Sequence, residues 1–203
     1  MGSTSSFGSY DLDLRPPPLR RHTMGLWLQE CPNCGYVNDA VDDLIPGAVE
    51  IVQSPEYQDL LADRVTPPLV LSFKRHALLV SADPLAAGWS LLHAAWVADD
   101  IEDRTLASDC REGCADLWAG ATLVVDEEGV RQQTVLVDVL RRAEHFDEAD
   151  ALVDRLLPHP ALTPEISRVL RFQKHLIARY DVDGYTCEQA FTAIPQDNPP
   201  PQR

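Results

Sequence analysis

From about residue 40 onward, apolar residues recur at the three- and four-residue spacing of helices, and capping signals cut the run into segments. Ser54-Pro55-Glu56 places an N-cap, a first-turn proline and an acid in sequence, with Tyr57, Leu60 and Leu61 on one face behind them. Pro68 opens a helix predicted to run through Val80. Asp83-Pro84 repeats the cap-plus-proline signature and starts an apolar helix carrying Leu85, Trp89, Leu92, His93 and Trp96. A further helix is predicted from about Glu102 to Leu123, with Leu106, Cys110, Cys114 and Leu117 at helical spacing. Asp126-Glu127-Glu128-Gly129 reads as a turn, followed by a helix from Val130 to Glu144. Phe146-Asp147-Glu148-Ala149 leads into a short helix ending near Pro158. Thr163-Pro164-Glu165 caps a helix reaching about Tyr180, and Thr186 with Gln189 is spaced as a capping box for a last helix through Ile194.

The first forty residues break this pattern. Residues 1–23 read as loop, with Pro16-Pro17-Pro18 extended, and the alternation in Asp11-Leu12-Asp13-Leu14 suits a short strand. Thr23 to Glu30 reads as a strand running into Cys31-Pro32-Asn33-Cys34-Gly35-Tyr36. The expected fold is therefore mainly α: a small zinc-ribbon-like β head over residues 1–40, stacked antiparallel helical hairpins over 41–194, and a disordered, proline-rich tail over 195–203. The segment Leu136 to Pro160, helix, short break and helix, is similar to half of a tetratricopeptide repeat, and Leu91 to Ala121 has the same outline.

Composition narrows the function classes. Of 203 residues, 45% are hydrophobic and 24% charged, enough for a real core. With 32 acidic and 17 basic residues the formal charge is −15, a field that repels phosphate backbones and anionic lipid. The basic clusters, Arg15 with Arg20-Arg21-His22, Lys74-Arg75-His76 and Arg141-Arg142, are short and read as solvated faces or helix-end charges. The longest apolar stretch, Leu69 to Ala82, is interrupted by three basic residues, so no membrane span is expected and the cytoplasm is the default location.

Cys31 and Cys34 carry the one sharp chemical motif. Zinc prefers four tetrahedral ligands, and two thiolates on a tight turn supply half of that set. Pro32 and Gly35 favour the knuckle, in which backbone amides turn toward the sulfurs and the glycine takes a positive φ. Of the five cysteines, the other three are Cys110, Cys114 and Cys187. Cys110 and Cys114 share a helix face and could complete the site, although small residues there more often pack a core. His22 is a further candidate ligand, and a symmetric dimer could share one zinc between two pairs. A redox dithiol is the alternative use of the pair, but no βαβ unit surrounds it.

Phe7-Gly8-Ser9, Asp11-Leu12-Asp13-Leu14-Arg15-Pro16-Pro17 and Cys31-Pro32-Asn33-Cys34-Gly35-Tyr36 together resemble an uncharacterised bacterial family with a zinc-ribbon head and a tetratricopeptide-like helical body. The motif likeness spans roughly residues 7–37. In that family another Cys-Pro-x-Cys pair, upstream of the Phe-Gly segment, completes the zinc site. This sequence lacks it, through a truncated start or the loss of half the site. The resemblance implies a fold and a structural zinc, and no reaction.

Enzyme signatures are sparse. Asp11, Asp13 and Arg15 form a polar cluster that could serve acid–base or metal chemistry, or simply pair as charges. His93 among Trp89 and Trp96 reads as a core histidine, as the Trp89, Trp96 and Trp118 stripe reads as core. The expected function is a non-enzymatic protein- or peptide-binding scaffold with a structural zinc knuckle at Cys31 and Cys34. The competing expectations are a metal-dependent enzyme using Asp11 and Asp13, and a redox sensor using Cys31 and Cys34.

Overall fold

A computed structural model describes residues 7–121 and 126–194. The chain is mainly helical, with one two-stranded antiparallel sheet among the described residues. It divides into two compact units, one formed by residue 7 with 17–121 and the other by 8–16 with 126–194. The N-terminal segment 8–16 thus belongs with the C-terminal helices. The expected tail, 195–203, lies outside the described residues.

In the first unit, α1 (Pro18–Arg21) and a 3-10 turn at Met24–Leu26 precede β1 (Gln29–Glu30) and β2 (Val37–Asn38). The strand expected over Thr23 to Glu30 shrinks to its last two residues. The reason is local: the Thr23 hydroxyl donates to the Arg20 carbonyl at 2.7 Å and accepts from the Trp27 indole at 3.0 Å, closing a turn that buries Met24. Then follow α2 (Ala48–Val52), α3 (Pro55–Ala62), α4 (Pro68–Leu79), α5 (Pro84–Asp100) and α6 (Arg104–Ala119). The caps behave as their chemistry dictates. Ser54 accepts from the Tyr57 amide, Asp83 from Leu85 and Ala86, and Asp103 from Leu106.

Helix α5 packs against both α4 and α6. Gly88 is the reason α5 and α6 approach so closely, since a Cβ there would meet Trp118 Nε1 at 2.0 Å. The Trp118 indole donates to the Leu85 carbonyl at 3.1 Å, so its polar edge is satisfied in the core. Cys110 and Cys114 face inward in this layer and are buried.

In the second unit, α7 (Glu127–Arg142), α8 (Phe146–Leu156) and α9 (Pro164–Ile177) pack on one another, and α10 (Cys187–Ala193) packs on α9. The acidic turn expected at 126–129 is instead the helix start: Asp126 accepts from the Gly129 amide and the two glutamates occupy the first turn. The capping box of Thr186 and Gln189 forms as expected. Segment 8–16 is a strap rather than a strand. Leu12 N–H donates to the Tyr185 carbonyl at 2.9 Å, and Cys187 N–H donates to the Tyr10 carbonyl at 2.8 Å. Leu12 enters the core formed by Val169, Phe172, Leu176 and Ala190.

Candidate functional site

The knuckle closes as a tight turn between β1 and β2. Cys31 N–H donates to the Tyr36 carbonyl at 2.8 Å, and Gly35 N–H donates to the Cys31 carbonyl at 2.9 Å. Gly35 sits at φ +73°, the left-handed conformation that the motif predicts. The backbone amides of Asn33 and Cys34, and then the Cys34 thiol, hold the Cys31 thiol below its usual pKa. Cys34 is exposed and Cys31 half-buried.

Residues from α3 and α4 fix this turn in place. The Gly35 carbonyl accepts from Tyr57 Oη and from Arg75 Nη1, both at 2.8 Å. Arg75 also grips Glu30 at 3.0 and 2.7 Å. Leu61 covers Gly35 so closely that a Cβ would meet its Cδ2 at 2.4 Å. Burial pushes the Tyr57 phenol up to about 12, so it stays a donor. On the other side Tyr36 Oη donates to the Asp43 carbonyl at 2.7 Å and accepts from Ile45 N–H at 3.1 Å. Reading Lys74-Arg75-His76 as a solvated cluster is therefore corrected at Arg75. It lies on the same stripe of α4 as Leu71 and Leu79, and that stripe is buried. The four-residue spacing of Leu71, Arg75 and Leu79 was the available signal: an arginine on an apolar stripe requires an internal partner. His76 is half-buried as well, with Nδ1 2.8 Å from the Ser90 hydroxyl, and burial lowers its pKa.

Beside the knuckle lies an open depression of about 680 Å³, walled by Cys31, Cys34, Ala48, Val49, Val52 and Leu61. Leu44 and Val49 stand on its rim with 67% and 61% of their surface exposed.

The donor chemistry at Cys31 and Cys34 suits zinc, because amide N–H groups directed at a thiolate stabilise its charge. The donor number does not close a tetrahedron. Among the described residues no group of three or more His, Cys, Asp or Glu side chains is placed to hold a metal. Cys110 and Cys114 do not join the pair: both point into the core, and burial raises the Cys110 thiol to about 11. Cys187 lies in the second unit, half-buried against the Asp11 carbonyl, its thiol also raised to about 11 by burial. His22, at the end of α1, is exposed and belongs to no such group.

Asp11 and Asp13 also lie in the second unit, where they anchor the strap. The Asp13 carboxylate is fully buried, accepts from Arg15 N–H at 3.1 Å and meets Arg142 Nη1 at 3.2 Å. Asp11 faces Arg15 at 3.9 Å. Arg141, fully buried, bonds Asp138 at 2.7 Å and the carbonyls of Asp181 and Asp183. The Arg141-Arg142 cluster is thus internal wiring rather than a solvated face, because α7 is enclosed by α8, α9 and the strap. His93 is ringed by Trp27, Phe73 and Trp96 at centroid distances of 5.2, 5.3 and 4.8 Å.

No helix among the described residues is long and apolar enough to cross a membrane. Comparison with known protein families, with curated proteins and with solved structures found no match for this chain.

Proposed function

We propose that this protein is a non-enzymatic, cytoplasmic protein-binding scaffold. Its ribbon-like head holds zinc through Cys31 and Cys34 as a structural knuckle, and its stacked, tetratricopeptide-like helical hairpins carry the head. The observation that supports this reading is the depression beside the knuckle. It is concave, its rim exposes Leu44 and Val49, and its floor is held rigid by Arg75, Tyr57 and Leu61. Exposed apolar residues around a fixed concave surface are the usual mark of a contact site, because they gain from burial without the cost of ordering a loop.

Selection from a displayed random-peptide library tests it. Peptides enriched on the native chain should lose at least tenfold in affinity on Val49→Glu, which lines the depression. Enrichment of none that respond to Val49→Glu sinks the reading.

One observation favours a second use of the same pair, a dithiol redox sensor: Cys31 and Cys34 are both free, and the Cys34 thiol lies close enough to hydrogen-bond the Cys31 sulfur. A reversible Cys31–Cys34 disulfide poised near a cellular thiol buffer would support it, and a pair that cannot be closed under glutathione disulfide would exclude it.

A further inference from the structure

The strap sits on the second unit as a peptide sits on a receptor. Its seat is built by other parts of the chain. Helices α9 and α10 supply Val169, Phe172, Leu176 and Ala190, α7 supplies Arg142, and the edge Tyr185–Glu188 supplies main-chain groups. Backbone pairing comes first: Leu12 N–H donates to the Tyr185 carbonyl, Cys187 N–H donates to the Tyr10 carbonyl, and Asp11 lies opposite Thr186 in a single antiparallel rung. Leu12 is the strap's buried contribution to the apolar core beneath it. Asp13, with none of its side chain exposed, meets an Arg142 whose side chain is 9% exposed. Backbone pairing favours any extended segment, while the apolar pocket and the enclosed guanidinium select an apolar residue followed directly by a carboxylate. The strap also keeps a shape of its own. Asp11 N–H donates to the Arg15 carbonyl at 3.0 Å and Leu14 N–H to the Asp11 carbonyl at 2.9 Å, so the turn closes within the segment. Leu14 holds φ +65°, a left-handed conformation that is costly for leucine.

We infer that this seat is a peptide groove held shut by residues 9–15 of its own chain, and that it opens to an extended segment of a partner protein with the same chemistry, an apolar side chain followed by a carboxylate. Strap and partner compete for one set of bonds, so the strap is an autoinhibitory contact. Along the chain, the strap reaches its seat only through residues 17–121, which form the other compact unit. Release therefore breaks no connection within α7–α10, and it relieves the strained Leu14 backbone. Val169, Phe172, Leu176 and Ala190 stay packed on one another when Leu12 leaves, so the groove outlasts its occupant. The chain's charge of −15 disfavours an acidic ligand elsewhere on its surface, and the pairing with Arg142 is what admits one here. This contact face lies in the second unit and depends neither on the knuckle nor on the depression beside it.

The tests use the full chain. Native-state hydrogen exchange should show the Leu12 and Cys187 amides opening together, at least tenfold faster than the amides of Leu170 and Phe172 inside α9. Leu12→Asp should expel the strap and keep the helical circular dichroism. A synthetic peptide of residues 8–16 should then bind that variant one to one with a Kd of about 1 mM or tighter, moving the Cys187 and Glu188 amide resonances. It should bind the unaltered chain at least tenfold more weakly, because the tethered strap competes with it. The peptide carrying Asp13→Asn should lose at least tenfold in affinity for the variant, since it buries Arg142 without a charge partner. Arg142→Met in the Leu12→Asp chain should erase the preference for the acidic peptide. Strap amides that exchange only together with those of α9, a Leu12→Asp chain that loses its helices, a folded variant that the peptide does not saturate, or equal binding of the native and Asp13→Asn peptides would each overturn the inference. A concentration-dependent dimer of the unaltered chain that Leu12→Asp abolishes would give the groove to the strap of a second copy and overturn it too.

Discussion

Arg75 and Glu30 meet in a two-point ion pair at 2.7 and 3.0 Å, and the Arg75 nitrogen that makes the longer bond also donates to the Gly35 carbonyl at 2.8 Å. One guanidinium therefore ties the strand before the knuckle, the turn itself and α4 together. The pair is uneven, with the Arg75 side chain 5% exposed and that of Glu30 46% exposed.

That unevenness sets the outcome of removing either partner. Glu30→Ala strands a buried guanidinium and should cost about 3 kcal/mol in urea unfolding. Arg75→Met fills the same space without a charge, and the freed Glu30 simply hydrates, so its cost should stay near 1 kcal/mol. The double variant should recover most of the Glu30→Ala loss. Simple additivity of the two costs would show that the pair is not coupled.

Gly35 and Gly47 separate backbone strain from packing. Their φ values, +73° and +78°, are nearly equal, but a Cβ at Gly47 meets nothing within 4 Å while one at Gly35 runs into Leu61. Gly47→Ala should cost about 1 kcal/mol from the left-handed backbone alone. Gly35→Ala should cost about 1–3 kcal/mol more, from overpacking against Leu61. Equal unfolding midpoints for the two variants would contradict the close contact.

Gly88 tests the α5–α6 interface. Alanine there gains helix propensity of about 1 kcal/mol, yet its Cβ falls within 2.0 Å of the rigid Trp118 ring. The net result should be a lower melting temperature and a red-shifted tryptophan emission as the indole is displaced. A stabilised Gly88→Ala protein would show that the helices separate at no cost.

Thiol chemistry should divide the cysteines by environment. With metal removed, iodoacetamide should reach Cys31 and Cys34 first, since Cys34 is exposed and the Cys31 pKa is lowered by amide hydrogen bonds. Cys110 and Cys187, raised to about 11 by burial, and buried Cys114 should label only on unfolding. Peptide mapping of the alkylated chain reads this directly.

Alkaline pH should loosen the knuckle's support. Tyr57 has its folded pKa raised to about 12 from an ordinary value of 10. Between those values the unfolded chain has lost the phenolic proton and the folded chain keeps it, so stability present below pH 10 falls as pH rises toward 12. Absorbance at tyrosinate wavelengths should show a late-titrating phenol that Tyr57→Phe removes.

Much of this protein was legible along the chain because the interactions concerned are local. A cap joins residues three apart, so Ser54, Asp83, Thr163 and Thr186 announce helix starts that form in place. The knuckle is equally local: Gly35 needs its left-handed φ to return the Cys31 carbonyl's partner, and six residues hold that information. What depends on facing elements was not legible. Whether Cys110 and Cys114 reach the knuckle turns on which side of α6 meets α5, and the helical period leaves both sides available until the neighbour arrives. Asp13 meets Arg142 across 129 residues, and Arg75 meets Glu30 across 45. Charges so far apart become partners only when the fold brings them together and buries at least one of them, as it does Asp13 and Arg75, and that desolvation is a property of the assembled core.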